Sequence, residues 1–220
     1  IKLTDGDASE TLPLPANTPT FVYETARDRG VEIIRSLLYD AKATQRWFFV
    51  IMMGRTAGHL ALGVAKAAGA TCAIIPEEFG QRKITVDHLA DILIGSMLKR
   101  AMPPRSRMDG VAIIAEGVAM KLSDQELLEM ERQHLAKIGH DTFGHIKLSD
   151  IQLGRALHER VQQRLGKDFA FPGGEPLTRG VVVKDVGYEL RCVHPIPFDV
   201  QYARDLGYAA VDPQVVTVCE

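Results

Sequence analysis

Cysteine is scarce in this sequence and poorly placed for its usual structural roles. The three residues, Cys72, Cys192 and Cys219, stand far apart, with no Cys-x-x-Cys pair and no Cys/His cluster. That excludes a zinc-ribbon pattern and a disulfide framework, and leaves reduced thiols and a cytoplasmic location as the expectation. An excess of one charge sign is also lacking. The formal net charge is −2 over 220 residues, so neither nucleic acid nor an acidic membrane surface is expected as a partner. Long apolar runs are missing. The longest, Trp47 to Met53, is the length of a strand, far short of the roughly 20 residues a spanning helix needs. No G-x-G-x-x-G, G-x-x-x-x-G-K-[ST] or G-x-S-x-G occurs, which argues against a dinucleotide fold, a P-loop and an α/β-hydrolase elbow.

What is present is an alternation of strand-like and helix-like segments. Residues 11–19 are Pro-rich and read as an extended loop. A helix is predicted from about Phe21 to Leu38, with Val31, Ile34, Leu37 and Leu38 at helical spacing. Trp47–Met52 is apolar at every position, the pattern of a strand covered on both faces. Gly54 and Gly58 lead into a helix whose apolar positions include Ala57, Leu60, Ala61, Val64, Ala65 and Ala68, with Gly69 as its cap. The unit repeats: strand Thr71–Ile75, helix Val86–Leu98, strand Val111–Ala115. Ser123-x-x-Glu126 is a capping box that opens a helix to about Ile138. Ser149 or Asp150 caps another, ending at Leu165. The stretch 121–178 reads as a helical insertion, too small to bury its own core. Val181–Arg191 resumes the strand pattern, and Pro197-Phe198-Asp199 starts a last helix. The fold class expected is α/β, a mostly parallel sheet flanked by helices and carrying a helical insertion.

In open parallel sheets, ligands bind outside the carboxyl ends of the strands. Those ends deliver Met53-Gly54-Arg55, Pro76-Glu77-Glu78 and Glu116-Gly117. An arginine beside a helix N-terminus suits a phosphate, and a carboxylate nearby suits sugar hydroxyls. A sugar-phosphate site follows, although taken singly Arg55 is more often a surface cation and Glu116 a solvated carboxylate. Other chemistry-bearing residues carry less. His140, Asp141 and His145 do not have a recognised metal spacing. Lys99, Arg100, Arg105 and Arg107 around Pro103-Pro104 read as a solvated loop, and His59 and His88 as packing or surface residues.

Four blocks, in order, resemble the phosphofructokinase family: Met53-Gly54-Arg55-Thr56-Ala57-Gly58, Ile75-Pro76-Glu77-Glu78, Ala115-Glu116-Gly117, and Gly187-Tyr188-Glu189-Leu190-Arg191 with Pro197-Phe198-Asp199. The resemblance covers about 20–120 and 181–212. Lys2-Leu3-Thr4-Asp5-Gly6-Asp7 is similar to the family's catalytic loop but keeps only the lysine and the two aspartates. By this resemblance residues 1–220 are the fructose 6-phosphate-binding part of a catalytic domain, without the donor-binding part. The implied activity is glycolytic: phosphoryl transfer to the 1-hydroxyl of fructose 6-phosphate. Asp5 is implied as the base, Lys2 as the contact to the donor phosphate, Arg55 as the group stabilising transfer, and Asp7 as a residue that orients the site or helps hold the cofactor Mg2+. Met53, Gly54, Arg55, Glu116, Tyr188 and Arg191 are implied to bind the substrate, with Arg191 on the 6-phosphate. Arg46 matches an arginine that serves a neighbouring subunit, which implies a homo-oligomer with shared sites. A second such arginine is replaced at the aligned place by Val182.

The donor is implied as pyrophosphate rather than ATP. Lys2 adds charge where pyrophosphate would sit, and the segment "YELRC" followed by "PIPFD" resembles the pyrophosphate-using branch. The alternatives are an ATP-dependent enzyme and a non-catalytic sugar-phosphate-binding paralogue, the latter favoured by the altered Lys2–Asp7 loop and by Val182.

Overall fold

The structure is a computed structural model and describes residues 20, 22–136, 151–167 and 180–211. The chain forms two compact units, one of residues 31–187 and one that joins 1–30 to 188–220.

In the 31–187 unit four strands form one parallel sheet: β1 (Trp47–Met52), β2 (Cys72–Ile74), β3 (Gly110–Ala115) and β4 (Val181–Val186), in the order β2-β3-β1-β4. Trp47 lies opposite Gly110 and Val181, and Met52 opposite Ala115 and Val186. All six residues of β3 are buried, as are all of β1 except the half-buried Ile51. Burial on both faces requires helices on both faces, which is why these strands read as unbroken apolar runs. Each fully buried large side chain, such as Phe49, Ile113 or Ile114, contributes about 1.5 to 3 kcal/mol. Helix α1 (Tyr23–Thr44) leads into β1, and α2 (His59–Ala68) packs against β2 and β3. Gly69 ends α2 in the left-handed region, at φ 76°.

Helix α3 (Val86–Ala101) starts at Thr85, whose hydroxyl accepts from the His88 amide. Helix α4 (Asp124–Arg132) starts at Ser123, which accepts from the Glu126 amide as the capping box requires. Helix α5 (Leu153–Lys167) packs against α3, β4 and β1. A Cβ on Gly154 would lie 2.5 Å from Val183 and 2.9 Å from Ile51, so this helix comes in close over the two strands. Two aspartates on α3 meet two arginines on α5: Arg160 with Asp87 at 2.6 Å, and Arg164 with Asp91.

In the other unit the described residues centre on the start of α1 and on α6 (Pro197–Val211). Asp199 is 2% exposed. Its carboxylate accepts the amides of Val22 (3.0 Å) and Thr25 (2.6 Å) and the Thr25 hydroxyl (2.5 Å). Thr25 Oγ1 in turn accepts from the Ile196 amide at 3.0 Å. An anion at the N-terminus of α1 satisfies orphan amides and favours the helix dipole.

Several boundaries differ from the sequence reading. α1 runs to Thr44, since Ala41 continues its buried face past Leu38. α4 ends at Arg132 rather than near Ile138, where the Gln133 amide closes the last turn. The strand predicted to reach Arg191 stops at Val186, because residues 188–190 coil into a 3-10 turn. The loop before β3 is also less solvated than expected. Arg107 donates to the buried Asp109 carboxylate at 2.6 and 3.1 Å, and Arg100 Nε donates to the Asp109 carbonyl. The expected caps Ser149 and Asp150, and the trio His140, Asp141 and His145, lie outside the described residues.

Candidate functional site

Within the 31–187 unit, the carboxyl ends of β1, β2 and β3 converge on one five-residue turn. The Met53 amide donates to Val186 at 3.0 Å, extending the ladder by one residue beyond β1. The chain then turns sharply: the Ala57 amide donates to the Gly54 carbonyl at 3.0 Å, and Arg55 sits at φ 51°. A left-handed conformation costs a residue with a side chain roughly 1–2 kcal/mol, so something must hold it. Glu116, the first residue after β3, supplies the hold. Its Oε1 accepts both the Gly54 amide (3.1 Å) and the Arg55 amide (2.7 Å). Hydrogen bonds to an ionised acceptor are roughly twice as strong as neutral ones, which offsets the strained φ.

The far end of the turn is held in the same way. Glu77, in the turn that follows β2, accepts the Gly58 amide at 2.7 Å through Oε1. Gly58 is the residue from which α2 starts, and a Cβ there would run into Ile75 and into Glu77 Oε2 at 2.5 Å. Gly117 is needed for a related reason: a Cβ on it would collide with the Arg55 carbonyl oxygen and lie 3.1 Å from the Thr56 carbonyl.

Met53, Gly54, Arg55 and Glu116 are therefore brought together. Glu116 does not stand as a fully solvated carboxylate, because one of its oxygens is committed to the turn. A carboxylate has about four acceptor sites, so a second oxygen remains for a ligand. The amide of Gly58, the residue just before α2, is occupied as well, by the Glu77 carboxylate. Arg46 is exposed and lies one residue before β1, at the opposite end of the sheet from Arg55. The ordinary strand rise puts its backbone on the order of 20 Å from Met53.

In the other unit, Tyr188 and Arg191 are joined by one turn: the Arg191 and Cys192 amides donate to the Tyr188 carbonyl at 3.0 and 3.1 Å. The Arg191 guanidinium stands 5.2 Å from the Tyr188 ring centroid, within reach of a cation–π contact. Both side chains are exposed. Lys2, Asp5 and Asp7 lie outside the described residues. Among the described residues, no group of three or more His, Cys, Asp or Glu could hold a metal ion.

The arginine turn, the two carboxylates and the glycine contacts occur in a segment that one family profile, named Phosphofructokinase, matches over residues 14–213. The chain belongs to the phosphofructokinase family. A Thermotoga maritima relative named pyrophosphate–fructose 6-phosphate 1-phosphotransferase is 46% identical over 91% of this chain and 45% of its own length. A Naegleria fowleri protein of the same name is 38% identical over the same shares. The chain thus spans about half the length of the curated relatives it matches. Among solved structures, a phosphofructokinase from Saccharomyces cerevisiae shares the fold, with a TM-score of 0.57 and 16% identity over 90% of this chain and 20% of that one.

Two features of this phosphofructokinase chain were missed by sequence reasoning. Glu77 stood within a recognised motif, yet nothing in its spacing gave it a partner at Gly58. Asp199 stands in the first turn of α6, as the sequence predicts, but its carboxylate also caps a second helix, α1, and that role was not foreseen. The only signal for Asp199 was an acidic residue in the first turn of a helix, which is too common to single it out.

Proposed function

We propose that this chain carries the fructose 6-phosphate side of a pyrophosphate-dependent phosphofructokinase. The observation that carries the reading is the Gly54–Gly58 turn. It holds Arg55 at the carboxyl ends of three parallel strands, in a chain 46% identical to a relative named for this reaction. The 1-hydroxyl oxygen of the sugar attacks one phosphorus of pyrophosphate. The O–P bond forms, the bridging P–O bond breaks and orthophosphate leaves. The hydroxyl proton passes to a carboxylate, assigned to Asp5.

Arg55 offsets negative charge on the transferring group. Met53 and Gly54 line the sugar, and Glu116 accepts a sugar hydroxyl through the oxygen not bound to the turn. Arg191 and Tyr188 grip the 6-phosphate. Lys2 meets the donor. Asp7 is the residue proposed to help hold Mg2+, which when bound supplies positive charge to the donor phosphates. The distant position of Arg46 suits service to a second subunit's site, and hence a homo-oligomer. A cytoplasmic location is part of the same proposal.

The test is phosphoryl transfer by the full-length protein with fructose 6-phosphate and Mg2+, comparing pyrophosphate with ATP. Turnover with pyrophosphate that falls at least about 100-fold on Asp5→Ala is expected. Turnover with ATP alone would reverse the donor. A folded protein that binds fructose 6-phosphate without turnover with either donor would instead be a non-catalytic paralogue, the reading favoured by Leu3, Thr4 and Gly6 in the altered loop.

A further inference from the structure

We propose that Glu77 is a positioning residue for phosphoryl transfer, acting through the backbone of the Gly54–Gly58 turn to aim Arg55 rather than by touching substrate. The inference rests on the functional reading above. Its basis is that the turn is pinned at both ends by carboxylates from two different strand ends. Glu116 takes the amides of Gly54 and Arg55, and Glu77 takes the amide of Gly58.

Between the pins, Arg55 sits at φ 51°. A residue in that region keeps its side-chain direction only while its neighbours over-determine the backbone. With Glu116 alone, residues 54 and 55 are fixed but the exit of the turn is not. The turn could then relax by a pivot of α2 about its first residue. Glu77 closes that route, because the Gly58 backbone rests directly on its carboxylate and on Ile75. Glu77 is exposed as a residue, but the Gly58 bond itself is partly buried, so water competes for it only in part.

A cap that served α2 alone would behave differently. It would lower stability and leave the reacting geometry untouched. A positioning role couples Glu77 to the reaction, because a displacement of about 1 Å in a charge-stabilising group can cost on the order of 100-fold in rate.

The experiment uses the full-length protein and three variants. Glu77→Gln keeps the acceptor oxygen, Glu77→Met keeps the length without an acceptor, and Glu77→Ala removes both. Two readouts are taken. The first is kcat and KM for fructose 6-phosphate with pyrophosphate. The second, independent of activity, is amide exchange resolved at Gly54, Arg55 and Gly58.

We expect Glu77→Met and Glu77→Ala to lower kcat by at least about tenfold, with KM for fructose 6-phosphate within about threefold and with kcat largely restored in Glu77→Gln. Exchange should rise at Gly54 and Arg55 as well as at Gly58. The proposal is overturned if Glu77→Met and Glu77→Ala keep kcat within about twofold of the parent, or if faster exchange is confined to Gly58 and α2. Should the parent protein fail to transfer phosphate to fructose 6-phosphate, the functional reading falls. The exchange measurement still decides whether Glu77 governs the Arg55 turn. Should Glu77→Ala fail to fold, the comparison of Glu77→Met with Glu77→Gln decides it.

Discussion

At Gly117 a single hydrogen separates a working turn from a blocked one. The collision a methyl group would meet there is with the carbonyl oxygen of Arg55, a backbone atom that cannot rotate away as a side chain could. Gly117→Ala is expected to lower unfolding free energy by about 1 to 3 kcal/mol and phosphoryl transfer by at least about tenfold, measured by urea titration and by initial rates. Asp109 makes a prediction of a different kind. Burial pushes its carboxyl up, but hydrogen bonding and charge from Arg107, and then from Arg100, outweigh burial and hold it below the usual carboxylate value. A depressed folded pKa contributes stability that is complete above the unfolded value and is lost as pH falls through the folded one. Stability should therefore drop on acidification below about pH 4, and Asp109→Asn should flatten that part of the profile in thermal melts between pH 7 and pH 3. Residue identity alone made Arg55 and Glu116 legible as candidates, since a forked cation and a carboxylate at strand ends suit a sugar phosphate. The use of one Glu116 oxygen to hold the Arg55 amide was not legible, because a side chain's chemistry does not say which backbone it will meet.

Helices here are tied down by side chains from other elements. Asp199 holds the start of α1 through two amides and a hydroxyl. Asp199→Ala leaves the buried Thr25 amide and hydroxyl without their acceptor and is expected to cost about 1 to 3 kcal/mol. Asp199→Asn, which keeps one acceptor oxygen, should cost less. Denaturant midpoints of the two variants check the ordering. The α3–α5 ion pairs are partly exposed and contribute less: Asp87→Ala with Arg160→Ala in a double-mutant cycle should give a coupling of roughly 0 to 1 kcal/mol. At this scale the sequence was most readable. Four strands and the helices between them were found in the right order, with most of their starts within a few residues, because burial imposes a period on the side chains. The misplaced ends, at Thr44, Arg132 and Val186, are set by backbone hydrogen bonding, and a lone apolar residue such as the buried Ala41 is too weak a pattern to mark the last turn of α1.

Across the whole 31–187 unit, β1 and β3 form the centre of the described sheet and are the most completely buried strands. Exchange of the Phe48–Met52 and Val111–Ala115 amides should be the slowest in the chain, with β4, which exposes Lys184 and Asp185, opening earlier. Mass-resolved deuterium labelling checks the order. Faster exchange in β3 than in β4 would contradict a sheet centred on β1 and β3. The α/β class, the order of the elements and the grouping of Met53, Gly54, Arg55 and Glu116 at the carboxyl end of the sheet were determined by the sequence alone. Each rests on local periodicity and on the rule that parallel strands present their carboxyl ends together. Tertiary structure alone decided the partners: Glu116 for an amide 61 residues away, Glu77 for one 19 away and Asp199 for one 174 away. Such pairings depend on strand register and on how elements stack, and neither is written in the spacing of neighbouring residues.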